Sequence, residues 1–152
     1  MSKCEKTILT VLCMVYDGNK ILLQDRVKKD WCGLTFPGGH VEKEESFVQA
    51  VIREIYEETG LTISDPKLCG IKQFQTDEDE RYIVLLFKTD KFDGTLISSD
   101  EGEMRWIDRR SLNDCTLVND FMDLLKVFDS DYYNEFMYKR NKLGDDWLIR
   151  LY

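Results

Sequence analysis

The stretch GHVEKEESFVQAVIREIYEETGL, residues 39–61, decides how this chain reads. Ser46-Phe47-Val48-Gln49 has the S-x-x-Q form of a capping box, which predicts a helix beginning there. Val48, Val51, Ile52 and Ile55 recur at helical spacing and form the expected apolar stripe, and Gly60 supplies the stop. On such a helix Glu54, Glu57 and Glu58 stand three and four residues apart and share a face. Each like-charge pair costs about 0.2–0.5 kcal/mol. Acids in the last turn, at the negative end of the macrodipole, cost about 0.3–1 kcal/mol each. Two readings stand: a solvated acidic face, or a site for a hard divalent cation, which prefers carboxylate and water oxygens.

Working outward, residues 7–16 (TILTVLCMVY) predict a buried strand, Asp17-Gly18-Asn19 a turn, and residues 21–23 the return strand of a hairpin. Residues 25–34 are polar and read as a loop carrying Arg26, Lys28 and Lys29. Phe36-Pro37-Gly38-Gly39 then punctuates the chain before the helix. Strands are predicted over 67–74, 81–89 and 103–107, with a further short one within 92–101. A second helix is predicted over 119–128, and a late hairpin over 133–151. Mixed strands with a helix to cover each face give an α/β fold, an α/β/α sandwich around a mixed β-sheet, in one domain spanning 1–152.

Composition narrows the function classes. The formal net charge of −8 argues against duplex nucleic acid as a partner, because such binding draws on clustered Lys and Arg. A small phosphate ligand remains open if a cation mediates the contact. No apolar run reaches the roughly 18 residues of a membrane span, and the first residues lack a signal-peptide pattern, so a cytoplasmic protein is expected. The five cysteines are scattered and never form C-x-x-C, which argues against a disulfide framework or a zinc site. Cys13, inside an apolar run, is expected to pack as a small hydrophobe. His40 is the one histidine, which leaves little basis for thiol catalysis.

The spacing within 39–61 is G-x5-E-x7-R-E-U-x-E-E-x-G-U without a mismatch, nine specified positions across twenty-three residues. It is the motif of the Nudix hydrolases, which this chain resembles there. The order of flanking strands and helices is similar over most of its length. That resemblance implies a Nudix-type sandwich and Glu54, Glu57 and Glu58 as ligands of Mg²⁺, with Mn²⁺ as the alternative. It implies Gly38 or Gly39 as a carbonyl contributor to the metal. Glu45 and Arg53 would form a supporting ion pair, and a later carboxylate would complete the site. Glu103 is favoured for that role because E-M-R before Trp106 resembles the mammalian-type oxidised-nucleotide hydrolases, with Glu101 second. Glu54 or Glu103 would accept the proton of the attacking water.

The same resemblance points to the MutT-type 8-oxo-dGTP diphosphatases of Gram-positive bacteria. The implied reaction is hydrolysis of 8-oxo-dGTP, or a related nucleoside triphosphate, to the monophosphate and pyrophosphate. Arg26, with Lys28 or Lys29, would meet phosphate, or else belongs to a solvated loop. His40 stands where many relatives carry lysine and would hydrogen-bond phosphate. Phe36 or Trp31 would stack on the base, or else pack internally. Asn119 would read the purine edge, having both a donor and an acceptor, or would cap the second helix. The alternatives are an ADP-ribose or dinucleoside polyphosphate pyrophosphatase and a non-catalytic nucleotide-binding module. Monomer and homodimer are both left open.

Overall fold

In the computed structural model, which describes residues 3–27, 30, 32–144 and 146–152, one curled mixed sheet lies between two helices. Trp31, Lys28 and Lys29, named above as possible ligand contacts, lie outside the described residues. The long strand β1 (Thr7–Asp17) turns at Gly18 into β2 (Lys20–Arg26). Two short strands follow, β3 (Gly33–Thr35) and β4 (Gly38–His40), and then helix α1 (Phe47–Thr59). The chain continues through β5 (Leu61–Ile63), β6 (Lys67–Gln75), β7 (Arg81–Thr89), β8 (Phe92–Gly94) and β9 (Gly102–Asp108). A short 3₁₀ segment, Arg109–Asp114, leads to α2 (Phe121–Asp129) and the hairpin of β10 (Glu135–Arg140) and β11 (Trp147–Leu151).

Among the described residues the main sheet has the order β11-β10-β6-β7-β1-β2-β3, with β4 added to β1 and β9 to β2. The pairs β1/β7 and β6/β10 are parallel and the others antiparallel, so the sheet is mixed as expected. β5 and β8 form a separate two-stranded ribbon.

Strand alternation divides the core in two. Val11, Cys13, Val15 and Leu22 pack with Ala50, Val51 and Ile55 of α1. Met14, Ile21 and Leu23 pack with Phe121, Leu124, Leu125 and Phe128 of α2 on the other face. The run Ile21-Leu22-Leu23 is therefore buried on both sides, which is why it is continuously apolar rather than alternating.

The predicted helix start is correct to the residue. Ser46 Oγ accepts from Gln49 N–H, and the Gln49 side chain accepts in return from Ser46 N–H at 2.9 Å. Gly60 closes the helix in the left-handed region at φ 76°, where a side chain would be strained. Val48, placed on the apolar stripe from spacing, is exposed, and Ala50 takes its place inside. β2 does not end at Leu23. It runs to Arg26 because β9 pairs along one edge and β3 along the other, so Asp25 and Arg26 are strand rather than loop. The second helix begins at Phe121 with Asp120 in the cap position, which removes the capping role from Asn119.

Candidate active site

Helix α1 delivers its acids to a cleft of about 680 Å³. Two further elements set their positions. Strand β4 pairs with β1 and brings the Gly38-Gly39 turn against the helix. There Gly38 N–H donates to Glu58 Oε2 at 2.8 Å. A Cβ at Gly38 would collide with the backbone of Val11 and Leu12, and one at Gly39 would collide with the Glu54 carboxylate. At Gly38 only glycine lets β4 lie this close to β1, whereas a side chain at Gly39 would displace the Glu54 carboxylate.

Arg53 ties the loop to the helix. Its Nε donates to Glu45 Oε1 at 2.7 Å and its Nη2 to Glu45 Oε2 at 3.0 Å, a two-pronged pair. The same Nη2 reaches the His40 carbonyl at 2.9 Å, which clamps β4 to α1. Nη1 donates to Glu54 Oε1 at 2.9 Å and Glu57 Oε2 at 3.2 Å. The Arg53 bonds, and then the Glu42 N–H, hold Glu45 below the usual carboxylate range.

Glu58 is 7% exposed. Burial pushes its carboxyl up to about 8, opposed by the Gly38 N–H and reinforced by the neighbouring Glu101 carboxylate. Glu54 is also raised, first by burial, with Arg53 acting against the shift and the charges of Glu57 and Glu101 acting with it. A buried acid set against a second acid is the electrostatic arrangement that a cation relieves.

The donor set, all oxygen from Glu54, Glu57, Glu58, Glu101 and the Gly38-Gly39 main chain, suits a hard divalent ion. As the side chains stand, no group of three acids among the described residues is placed to hold a metal. Glu54 and Glu57 each give one carboxylate oxygen to Arg53 Nη1, which leaves the second oxygen of each for a ligand.

Glu103, expected to be the extra carboxylate, does not line the cleft. It pairs with Arg105 at 3.0 Å and is 63% exposed, beside Asp25 on the neighbouring strand. Met104 packs inward toward α1, and alternation turns Glu103 to the opposite side. Glu101, one residue before the strand, lines the cleft instead.

Asn119 is exposed and also outside the lining. The next residue, Asp120, is 2% exposed and forms a buried ion pair with Lys72 of β6. The Lys72 ammonium lies 5.4 Å from the Phe136 ring centroid and 5.1 Å from that of Tyr138. Burial and then Asp120 raise the Tyr138 phenol above its ordinary range.

Phe36 borders the cleft, but its ring is stacked on Phe121 at 4.8 Å and packed against Phe128 at 4.6 Å. It is therefore committed to the core rather than offered to a base. Arg26 and His40 both line the cleft. Sequence reasoning missed Gln24, Thr35, Lys72 and Asp120 as lining residues. For Gln24 a signal existed: it is a polar residue continuing the apolar run of β2, whereas β6 is too polar for Lys72 to stand out.

Comparison with known proteins bears on the family and the fold. The NUDIX domain family profile matches residues 6–132. An uncharacterized Nudix hydrolase of Bacillus subtilis, YvcI, is 30% identical over 132 residues, 84% of this chain and 77% of that protein. An oxidized purine nucleoside triphosphate hydrolase of Danio rerio is 32% identical over 108 residues, covering 66% of this chain and 65% of its own. The crystal structure of a mutator MutT protein from Bacillus halodurans superposes with a TM-score of 0.76 at 27% identity, over 95% of this chain and 97% of that one.

Proposed function

The chain belongs to the NUDIX domain family, hydrolases of nucleoside diphosphate-linked substrates, and from that premise we propose that it converts 8-oxo-dGTP to the monophosphate and pyrophosphate. The observation that carries this reading is one cleft lined both by the acids of α1 with Glu101 and by the buried Lys72–Asp120 pair. Such a cleft combines a site for the diphosphate with a group able to read a purine. Asp120 accepts hydrogen bonds and Lys72 donates them, matching the donor and acceptor edges of an oxidised guanine. The relative from Danio rerio bears a name of this kind.

Family members generally work with divalent ions such as Mg²⁺. When bound by Glu54, Glu57, Glu58 and Glu101, such an ion would neutralise phosphate oxygens and acidify water. Arg26 would bind phosphate oxygens across the cleft. Arg53 would orient the acids while its grip on Glu45 and the His40 carbonyl keeps the loop closed on the helix. Glu54, partly buried among the other acids, would accept the proton of the attacking water through a carboxylate oxygen not given to the ion. With 8-oxo-dGTP as substrate, the cellular role would be removal of damaged precursors from the nucleotide pool.

The test is a panel of 8-oxo-dGTP, dGTP, ADP-ribose and a diadenosine polyphosphate with Mg²⁺, products resolved by chromatography. The expected result is the highest kcat/KM for 8-oxo-dGTP, with release of pyrophosphate. Preference for ADP-ribose or the dinucleoside would overturn the substrate. Glu57→Gln should lower kcat by about 10²–10³, the usual loss when one preorganised electrostatic group is removed, with an unchanged circular dichroism spectrum.

A further inference from the structure

Gln24 is 4% exposed and lines the cleft. Among the described residues, its Nε2 is the buried side-chain nitrogen or oxygen that finds no hydrogen-bond partner. Native folds rarely leave a buried donor unpaired, because its desolvation is then uncompensated.

Its surroundings indicate what it would meet. On β2, Gln24 stands opposite Thr35 of β3 and Met104 of β9. Met104 packs with the α1 layer, so these three residues face the helix that carries the glutamates. The turn holding Glu101 lies against Gln24: a Cβ on Gly102 would come within 3.2 Å of Gln24 Cγ. Arg26 is two residues farther along the same face of β2, about 7 Å away at strand spacing, and lines the same cleft. One strand thus presents an amide donor and then a guanidinium, beside the acidic cluster.

Neutrality is what suits the amide to this place. Arg53 shows what a cation does among these acids, since its Nη1 engages Glu54 and Glu57. A lysine or arginine at 24 would compete for Glu58 and Glu101 in the same way. An amide can hydrogen-bond an anionic oxygen without forming an ion pair with the neighbouring carboxylates. We propose that Gln24 Nε2 donates to a phosphoryl oxygen of the bound nucleoside diphosphate-linked substrate, in line with Arg26. The proposal rests on the hydrolase reading and adds a substrate-binding residue to it.

Two substitutions test it in the full chain. Gln24→Met keeps length and removes the donor, and Gln24→Glu replaces the donor with a negative acceptor. The readouts are Tm without nucleotide, Kd for the α,β-imido analogue of dGTP with Mg²⁺, and KM. Gln24→Met should melt at or above the wild-type temperature, because an unpaired amide is gone. It should weaken analogue binding and raise KM about tenfold, the loss expected for a hydrogen bond to a charged group. Gln24→Glu should bind more weakly still. An analogue Kd within twofold of wild type in Gln24→Met overturns the proposal, as does a lowered Tm with unchanged KM, which would make the amide structural. A wild-type protein that hydrolyses no diphosphate-linked nucleotide would overturn the hydrolase reading and this one together. An active wild type with an indifferent Gln24→Met overturns this one alone.

Discussion

The two helices deliver carboxylates to one cleft under opposite electrostatic terms. On the α2 side Asp120 is buried and already matched by Lys72, whose ammonium lies by two aromatic rings. On the α1 side Glu58 is comparably buried, but its neighbours are a backbone N–H and another acid, Glu101. The first arrangement is complete within the protein and can discriminate a ligand by hydrogen bonding. The second is incomplete and gains from positive charge arriving from outside. Both sides carry buried acids, so counting acids alone would not separate them; what differs is that Asp120 has its compensating charge within the protein and Glu58 does not.

The strongest way to break this contrast is to remove one half of the internal pair. Lys72→Met strands Asp120 without a cation and should cost about 3–5 kcal/mol of stability by urea denaturation. Lys72→Met combined with Asp120→Leu should recover most of that loss, since neither charge is then buried alone. If the single and double variants were equally destabilised, the pair would not be the self-contained unit described.

A smaller effect sharpens the α1 side. Glu101→Gln should reduce kcat/KM about 10–100-fold, the range seen when a group supporting a metal site is lost. Glu103→Gln, on the outer face with Arg105, should change it less than twofold. Steady-state kinetics on the two variants decides between these neighbouring acids, and the reverse order would restore Glu103 to the site.

The smallest effect is a pH slope. Below pH about 4.5 Glu58 is protonated in both folded and unfolded chains. As pH rises toward 8, the unfolded chain releases a proton that the native Glu58, at about 8, retains. Stability contributed by this group is therefore lost across that window and levels off above it. Glu45, held low by Arg53, acts in the opposite sense but only at or below the ordinary carboxylate range. Tm in EDTA should fall from pH 5 to 8, and Mg²⁺ should raise Tm more at pH 8 than at pH 5. Glu58→Gln should remove most of the EDTA slope, leaving the same-sense contribution of Glu54, while an undiminished slope in that variant would assign it to another group.

What could be read in the linear chain follows from how locally it is encoded. The capping box and the stop at Gly60 act within a few residues, and the local pattern alone states them, whereas the Arg53–Glu45 pair is legible only through the resemblance of the motif. The expectations that the structure redirects have long-range causes. Glu101 and Glu103 differ in orientation because the register of β9 against β2 puts Met104 inside. Asn119 and Asp120 differ because a lysine 48 positions earlier buries the second one. Phe36 has its faces taken by Phe121 and Phe128 from the far end of the chain. A strand or helix can be inferred from its own residues, whereas the way a side chain points at an element's edge depends on partners the local pattern does not contain.

Helix α1 is pinned at both ends, by the reciprocal Ser46–Gln49 bonds and by the left-handed turn at Gly60. Between these stops its thirteen residues act as a ruler. Adding or deleting one residue between Gln49 and Glu54 would rotate everything beyond it by about 100°. Arg53 would then lose Glu45, and Glu58 would swing away from Gly38 although no functional side chain had been replaced. Lineages carrying this helix should therefore vary its composition far more readily than its length, and insertions should collect in the surface turns outside the two stops.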